Sequence, residues 1–195
     1  IASTGLLYWK NTSSDVLVET ASGQLYVLLA GRWFRGPAPE GPFTFVPPKD
    51  LPPAFARIPP GHAKESVLAS VPATPQAREA LVANGVPSTA TVRRDSVALE
   101  TSYDGPPALQ PIPGTALSYV SNSPVPVIRV QDGEWYALRD GIWFTAAVAT
   151  GPWAVAARVA PAVYAIPASS PLHYVTYVRV YGATPEVVYV GHTPG

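Results

Sequence analysis

The chain has 195 residues, which is enough for one domain or two small domains with apolar cores. It contains no cysteine, so disulfides, thiolate chemistry and cysteine-ligated zinc are excluded. Its net charge is zero and its longest basic run is Arg93-Arg94, which argues against a nucleic-acid interface.

The first stretch, residues 1–61, has the pattern of an antiparallel β meander. The run QLYVLLAGRWF predicts two strands joined at Ala30-Gly31, and GRWFRGPAPEGPF continues it through a Gly-Pro-aromatic loop. Because side chains alternate along a strand, this register predicts two distinct faces. The mixed face carries Tyr26, Leu28, Trp33 and Arg35, and the apolar face carries Leu25, Val27, Leu29 and Phe34.

Residues 62–111 have a different pattern. HAKESVLAS and TPQAREALVANG predict two short helices, the second with Thr74 as N-cap, Pro75 at its first position and Asn84-Gly85 at its end. The following run, TATVRRDSVALETSYDG, returns to the alternation of a strand and ends in the turn pair Asp104-Gly105.

Residues 112–195 predict a second meander and a C-terminal hairpin. Asp132-Gly133 and Asp140-Gly141 favour type I′ turns, so strands are predicted near 126–131, 134–139 and 142–146. A two-residue loop at Asp140-Gly141 would pair Arg139 with Ile142, Leu138 with Trp143 and Tyr136 with Thr145. HYVTYVRVYG and PEVVYVGHTPG predict a final hairpin around ATP.

The predicted register also gives the second meander two faces. One is almost wholly apolar and is predicted to be core, whereas the other is mixed in polarity. The apolar face carries Ile128, Val130, Trp135, Ala137, Ile142 and Phe144, and the mixed face carries Arg129, Glu134, Tyr136, Leu138, Trp143 and Thr145.

The two meanders match at fixed offsets over about sixty residues, which predicts a duplicated unit. IASTGLLYWKNTSSDVLV aligns with IPGTALSYVSNSPVPVIRV, and GRWFRGPAPEGPF aligns with GIWFTAAVATGPW. We therefore predict a mainly β protein of tandem antiparallel modules with a small two-helix insertion. The predicted domains are a first β module at 1–61, a helical insertion with connecting strands at 62–111, and a second β module with the hairpin at 112–195.

The sequence contains no recognisable catalytic constellation. The histidines, His62, His173 and His192, lack metal-ligand spacing, and no nucleophile elbow, Walker loop or dinucleotide fingerprint occurs. The acids Asp132, Glu134 and Asp140 lie close together, but two of them are turn residues, so a glycosidase pair is the poorer interpretation. We predict a non-enzymatic protein without a cofactor or a metal.

The aromatic pairs of the mixed faces are the candidate binding residues. Exposed aromatic rings can stack on the apolar faces of sugars, and neighbouring polar groups then fix the orientation of the ligand. The alternative is that Phe43 and Trp153, in the Gly-Pro-aromatic loops, cover the two tryptophans and form a second small core beneath each loop. The candidates for binding a ligand or a partner are Tyr26, Trp33, Arg35, Tyr136 and Trp143.

Three further stretches carry a family resemblance. YVLLAGRWFRGP…GPF, VLASVPATPQAREALVANGVPSTATV and SSPLHYVTYVRVYGATPEVVYVGHTPG together resemble a group of uncharacterised exported bacterial proteins with repeated G-x-W-F…G-P-[FW] β modules. Some of those proteins carry an automatically assigned carbohydrate-binding label. The resemblance covers essentially the whole chain and implies export to the cell envelope and a longer parent protein. It transfers no catalytic residue.

These observations favour a structural or accessory protein of the cell envelope, periplasmic or extracellular, that makes protein contacts in a larger extracytoplasmic or membrane-associated assembly. Only 13% of the residues are charged and 24 are prolines, which favours either a surface covered by a partner or a proline-rich β protein with dry loops. Prolines interrupt the one long uncharged stretch, so no transmembrane segment is predicted. The alternative function is a carbohydrate-binding module that uses the Tyr/Trp faces, with a polysaccharide as ligand.

The alignment of the two meanders also predicts a missing strand. Ile112 is preceded by VALETSYDGPPALQP, whereas Ile1, its counterpart, has no such lead-in in this chain. An unpaired first module would leave an open sheet edge, which proteins normally cover. We therefore expect a longer precursor whose residues upstream of Ile1 resemble 97–111 and supply that strand, as the absence of methionine also indicates.

Overall fold

The computed structural model describes residues 1–130 and 133–194. The fold is mainly β, with three antiparallel sheets, one α-helix and several short 3₁₀ helices among the described residues. The chain divides into two compact units, Ile1–Val86 and Pro87–Thr193, with Pro194 grouped with the first. The helices of segment 62–111 belong to the first unit and its strands belong to the second.

The first unit contains a five-stranded antiparallel sheet whose strands follow one another in chain order. The turn between its third and fourth strands is the predicted one, with positive φ at both Ala30 and Gly31. It places Leu28 opposite Trp33, as the sequence predicted. The strands are β1 (Leu6–Tyr8), β2 (Asp15–Glu19), β3 (Leu25–Leu29), β4 (Arg32–Gly36) and β5 (Thr44–Val46).

Short helices cover the Trp33 face of this sheet. They are the 3₁₀ helices Phe55–Arg57 and Glu65–Ser70. The 3₁₀ helix Pro48–Asp50 precedes them and α1 (Pro75–Asn84) follows them, and neither of these two buries a side chain. Thr74 caps α1 as predicted, because its hydroxyl accepts a hydrogen bond from the Ala77 amide at 3.1 Å. The buried cluster between sheet and helices contains Leu6, Leu17, Tyr26, Trp33, Val46, Leu51, Ala54, Phe55, Ile58, Val67, Leu68 and Val71.

The second unit contains a six-stranded antiparallel sheet in the order β12-β11-β10-β9-β8-β7. The Asp140-Gly141 turn has positive φ at both residues, and the pairing of Leu138 with Trp143 and of Tyr136 with Thr145 confirms the predicted register. The strands are β7 (Leu109–Pro111), β8 (Ser118–Val120), β9 (Val127–Arg129), β10 (Trp135–Arg139), β11 (Ile142–Ala146) and β12 (Ala154–Val155).

The predicted register of β9 on β10 is wrong by one residue, so the two predicted faces of β9 are exchanged. Val130 donates a hydrogen bond to the Glu134 carbonyl at 2.9 Å, so three residues separate the strands where a two-residue loop was expected. A shift of one residue moves every side chain of a strand to the other face. Ile128 and Val130 therefore pack with Trp143, and the Arg129 guanidinium lies 5.8 Å from the Trp135 ring on the Phe144 side. Asp132, the first residue of the predicted turn, lies outside the described residues.

A three-stranded sheet, in the order β13-β14-β6, packs on the Phe144 face. It consists of β6 (Ser88–Arg93), β13 (Val178–Ala183) and β14 (Val187–His192), and β13 with β14 forms the predicted C-terminal hairpin. The cluster that it covers contains Leu99, Val120, Val127, Ala137, Phe144, Val155, Val188 and Val190.

The opposite face of the six-stranded sheet is covered by 3₁₀ helices, Pro161–Ala165 and Pro171–Tyr177. Both faces of the six-stranded sheet are therefore core, including the face that was predicted to be mixed in polarity. The buried cluster on this side contains Ile112, Leu117, Ile128, Val130, Tyr136, Leu138, Trp143, Ala156, Val159, Val163, Ile166 and Val175. Within residues 1–130 and 133–194, no helix is long and apolar enough to cross a membrane.

Candidate functional site

Both candidate tryptophans are buried. Trp33 is 3% exposed and Trp143 is 0% exposed, so neither ring offers a face on which a sugar could stack. The indole nitrogen of Trp33 donates to the Ser70 carbonyl oxygen at 2.8 Å, and that of Trp143 donates to the Val178 carbonyl oxygen at 2.8 Å. Each tryptophan thus joins its sheet to a later segment of the same unit.

The candidate tyrosines are buried beside the tryptophans. Tyr26 packs edge-on against Phe55, and Tyr136 packs edge-on against Trp143. Burial makes the largest contribution to the raised pKa of Tyr26, and the Glu19 carboxylate raises it further. Burial and a 2.8 Å hydrogen bond to Glu134 raise the pKa of Tyr136 to about 12, so both phenols stay neutral near pH 7.

The rings of Phe43 and Trp153 do not form the predicted cover over the tryptophans. Phe43 is partly exposed, at 37%, and Trp153 packs with the Phe144 cluster on the other face of its sheet. The cover comes from the 3₁₀ helices that follow each loop, with Phe55 lying 4.9 Å from Trp33 between ring centroids. Of the five candidates only Arg35 is exposed, and it pairs with Tyr26 across β3 and β4.

The exposed aromatic surface lies elsewhere, on the outer face of the β6–β14–β13 sheet. Tyr181 is 57% exposed and Tyr189 is 45% exposed. A Cβ placed on Gly191 would lie 2.7 Å from the Tyr181 ring, and one placed on Gly182 would lie 3.6 Å from the Tyr189 ring. Each tyrosine therefore lies over a glycine of the neighbouring strand, which leaves the outer side of its ring open to solvent.

Hydroxyl groups border this tyrosine face. Thr89 and Thr91 are exposed on the adjacent strand β6, where Thr91 pairs with Tyr189. A shallow cleft of about 320 Å³ lies between β6 and the two tyrosines. Aromatic rings with flanking hydroxyls in an uncharged cleft suit a neutral polyhydroxy ligand.

A second exposed surface is aliphatic and belongs to α1. This helix buries none of its side chains. Within α1, Leu81 is 73% exposed and Val82 is 75% exposed. Val86, two residues beyond the end of the helix, is also 75% exposed. Three large aliphatic side chains this exposed on one short segment are typical of a protein contact surface.

Two of the three histidines, His62 and His173, take part in local packing. His62 packs edge-on against Tyr8 and its Nδ1 accepts a hydrogen bond from the Lys64 amide at 3.0 Å. The Nδ1 of His173 lies 2.6 Å from the Ile166 carbonyl oxygen. Across the described part of the chain, no group of three or more His, Asp or Glu side chains could hold a metal ion.

The comparisons with known proteins found no match: no protein-family model, no curated protein and no solved structure is similar to this chain. The sequence analysis missed Tyr181 and Tyr189. The signal that could have found them is the alternation in VRVYG and VYVG, in which Tyr181 follows Val180 and Tyr189 lies between Val188 and Val190.

Proposed function

We propose that this chain is a non-enzymatic, exported accessory protein of the cell envelope, periplasmic or extracellular, that binds a protein partner in a larger assembly. The low charge of the sequence and its resemblance to exported bacterial proteins support this location. A binding role accounts for the exposed apolar side chains more directly than catalysis does.

We further propose that the two β modules derive from one duplicated unit. Leu28 stands opposite Trp33 in the first module, as Leu138 stands opposite Trp143 in the second. Each of these tryptophans donates to a backbone carbonyl oxygen at 2.8 Å, which lies 37 residues later in the first unit and 35 residues later in the second. Equal registers and equal anchoring bonds support a common origin.

The observation that carries the protein-binding proposal is the aliphatic surface of α1. Leu81, Val82 and Val86 are at least 73% exposed, so almost their whole side chains contact water. Burying one such side chain in an interface contributes about 1.5–3 kcal/mol. Leu81 and Val82 lie on α1, which is capped by Thr74 and contacts the 3₁₀ helix Glu65–Ser70, and Val86 follows the helix.

Pull-down with matched variants tests this proposal. The tagged full chain is incubated with envelope extract of the encoding organism, beside a Leu81→Gln/Val82→Gln variant. Val148→Gln, which changes an exposed valine outside α1, is the control. We expect a stoichiometric partner that the α1 variant loses by at least tenfold and the control retains. A partner that both variants retain equally would contradict α1 as the contact.

A second candidate function is carbohydrate binding at the tyrosine face, which the open rings of Tyr181 and Tyr189 favour. Native electrophoresis in gels containing soluble polysaccharides tests it, because a bound polymer slows migration. Tyr181→Ala and Gly191→Ala should abolish the delay, the latter because its methyl group displaces the Tyr181 ring. Gly182→Ala should keep the delay, since its methyl group meets only an ordinary contact. Unchanged migration of the unmodified chain in every gel would end this candidate.

A further inference from the structure

The outer edge of β6 is a long strand edge without structural protection. Within residues 1–130 and 133–194, β6 pairs only with β14, so its other side is an edge of the three-stranded sheet. It has six residues, whereas the edge strands of the other two sheets have three or two. The opposite edge strand, β13, is equally long but contains a bulge between Val180 and Gly182. Short length and bulges prevent an edge from pairing with another chain, and β6 has neither over Ser88–Arg93.

The backbone groups on this edge follow from the bonds that join β6 to β14. The Arg94 amide donates to the Glu186 carbonyl at 2.9 Å. Because bonding alternates along an antiparallel pair, the even-numbered residues of β6 bond to β14 and the odd-numbered residues direct their N–H and C=O to the open edge. Thr89 and Thr91 therefore each offer a full pair of outward backbone groups.

The two ends of the edge are complementary to each other. Pro87, directly before β6, has a carbonyl oxygen but no N–H. Arg93, at the far end, offers its N–H, but its carbonyl oxygen already accepts bonds from the Ser96 amide at 3.3 Å and the Ser96 hydroxyl at 2.9 Å. An added strand with an arginine of this kind opposite Pro87 would need no donor from that proline.

A second copy of β6 supplies this match. When two copies run antiparallel with Ala90 opposite Ala90, Thr89 of each copy lies opposite Thr91 of the other, and Pro87 lies opposite Arg93. Each threonine pair then forms both of its ladder bonds, and the Arg93 N–H donates to the Pro87 carbonyl oxygen. Cross-strand threonine pairs also stabilise antiparallel sheets. Every outward backbone group of Thr89 and Thr91 is thereby bonded.

The charges along the edge also suit a second copy. Residues 87–92 carry no charge, and the Arg93 guanidinium donates to the Asp95 carboxylate at 3.0 and 2.7 Å. The twofold axis of the pairing passes between the two Ala90 residues, so the two Arg93-Asp95 pairs lie at opposite ends of the joined strands. No like charges face each other, whereas strand edges that must remain open are often guarded by a charge in the strand.

We propose that the open edge of β6 is a self-pairing site, at which a second copy of this chain adds its own β6 antiparallel and with Ala90 opposite Ala90. The two three-stranded sheets then form one six-stranded sheet. Residues that stand opposite each other share a face, and Thr91 stands opposite Tyr189 within one copy, so the tyrosine faces of both copies lie on the same side. The proposal depends neither on the α1 partner nor on a polysaccharide.

A single introduced cysteine tests the register, because the chain contains none. Residues of a non-hydrogen-bonded antiparallel pair have Cα atoms about 4.5 Å apart, which a disulfide can span. Ala90→Cys should therefore form a disulfide-linked dimer in a glutathione redox buffer. Ser88→Cys is the matched control, since Ser88 is also small and exposed but lies opposite Val92 of the second copy, out of reach of its own counterpart.

Charge exchange in the full chain tests the identity of the partner. Thr89→Lys/Thr91→Lys places lysine opposite lysine, and Thr89→Glu/Thr91→Glu places glutamate opposite glutamate. Sedimentation equilibrium from micromolar to millimolar concentration measures dimerisation. We expect the unmodified chain to dimerise in this range and each double variant to have a dissociation constant raised by about tenfold or more. An equimolar mixture of the two variants should dimerise again, which also shows that both fold.

Four results would overturn the proposal. An unmodified chain that stays monomeric at millimolar concentration excludes self-pairing and leaves the edge to a strand from another protein. Dimerisation that both double variants retain at full strength places the contact elsewhere on the chain. Failure of the mixture to dimerise when folding of each variant is confirmed by circular dichroism contradicts the threonine pairing. Equal disulfide formation by Ala90→Cys and Ser88→Cys contradicts the register.

Discussion

Replacing Trp143 by alanine tests whether the Trp face is core or binding surface. The side chain is fully buried in the cluster beneath the 3₁₀ helices, so its removal leaves a cavity as well as lost apolar burial. Truncations of this kind cost about 3–5 kcal/mol. Since small domains have about 5–15 kcal/mol of unfolding free energy, Trp143→Ala should remove a large share of it.

Trp143→Phe keeps one aromatic ring in the cluster but leaves a smaller side chain without a donor. It removes the indole N–H that lies 2.8 Å from the Val178 carbonyl oxygen, and an acceptor left unpaired costs about 1–3 kcal/mol. Trp153→Phe is the matched control, because its indole donates to the Thr101 hydroxyl at 3.2 Å at a partly exposed site where water can replace it. The control substitution should lower the free energy of unfolding by less than about 1 kcal/mol.

Equilibrium urea unfolding of the full chain, followed by far-UV circular dichroism, measures these differences. A loss below about 1 kcal/mol for Trp143→Ala would refute the reasoning, because a side chain with that little effect is not packed. Equal losses for the two Trp→Phe variants would refute the role given to the buried hydrogen bond.

Three further predictions concern other parts of the fold. Phe144→Ala should cost on the order of 3–5 kcal/mol in denaturant unfolding, and a loss below about 1 kcal/mol would show that its face is misassigned. The unfolded chain ionises Tyr136 near pH 10, whereas the folded chain holds its pKa at about 12, so stability should fall from about pH 10 to 12. Tyr136→Phe should flatten that part of the pH profile, and an unchanged slope would contradict the shift. Thr74→Ala should cost about 0.5–2 kcal/mol and speed amide exchange in α1, whereas Thr74→Ser should restore the cap.

The two hairpins of the second module show where register could be predicted. At Asp140-Gly141 the φ requirement of the turn fixed a two-residue loop, and the pairing followed residue by residue. The Asp132-Gly133 pair consists of the same two residue types. Here Val130 and Glu134 form the closing pair of the hairpin, so this loop is one residue longer than the loop at Asp140-Gly141. Asp-Gly is compatible with both loop lengths, and only the packing of Ile128 beneath the 3₁₀ helices selects between them.

The sequence predicted which residues of the candidate site share a face, but it did not predict what covers that face. The sequence correctly placed Trp33 beside Tyr26 on one face, because strand alternation is local. The cover of this face of the first sheet comes from a distant part of the chain. Ser70 and Val67 belong to a 3₁₀ helix more than thirty residues after Trp33. Such short helices have no long apolar periodicity, so the sequence gives no signal that they pack on the sheet.

The two modules agree on one face of their sheets and differ on the other. Under the proposed duplication, both keep the buried Tyr and Trp pair, which the fold itself requires for its core. The opposite face has diverged: where the second module has Ile142 against the third sheet, the first has Arg32, whose guanidinium lies 5.6 Å from the Phe34 ring.

Side chains shared by both modules are thus explained by packing, and the repeated aromatic motif that first attracts a functional interpretation is structural. A specific partner needs a surface that occurs once. Leu81 on α1 and Tyr181 on the C-terminal hairpin lie in segments outside the repeated unit, and each is more than half exposed. Protein binding should therefore respond to substitution of Leu81, and polysaccharide binding to substitution of Tyr181, whereas neither should respond to a substitution in the repeat that preserves the fold.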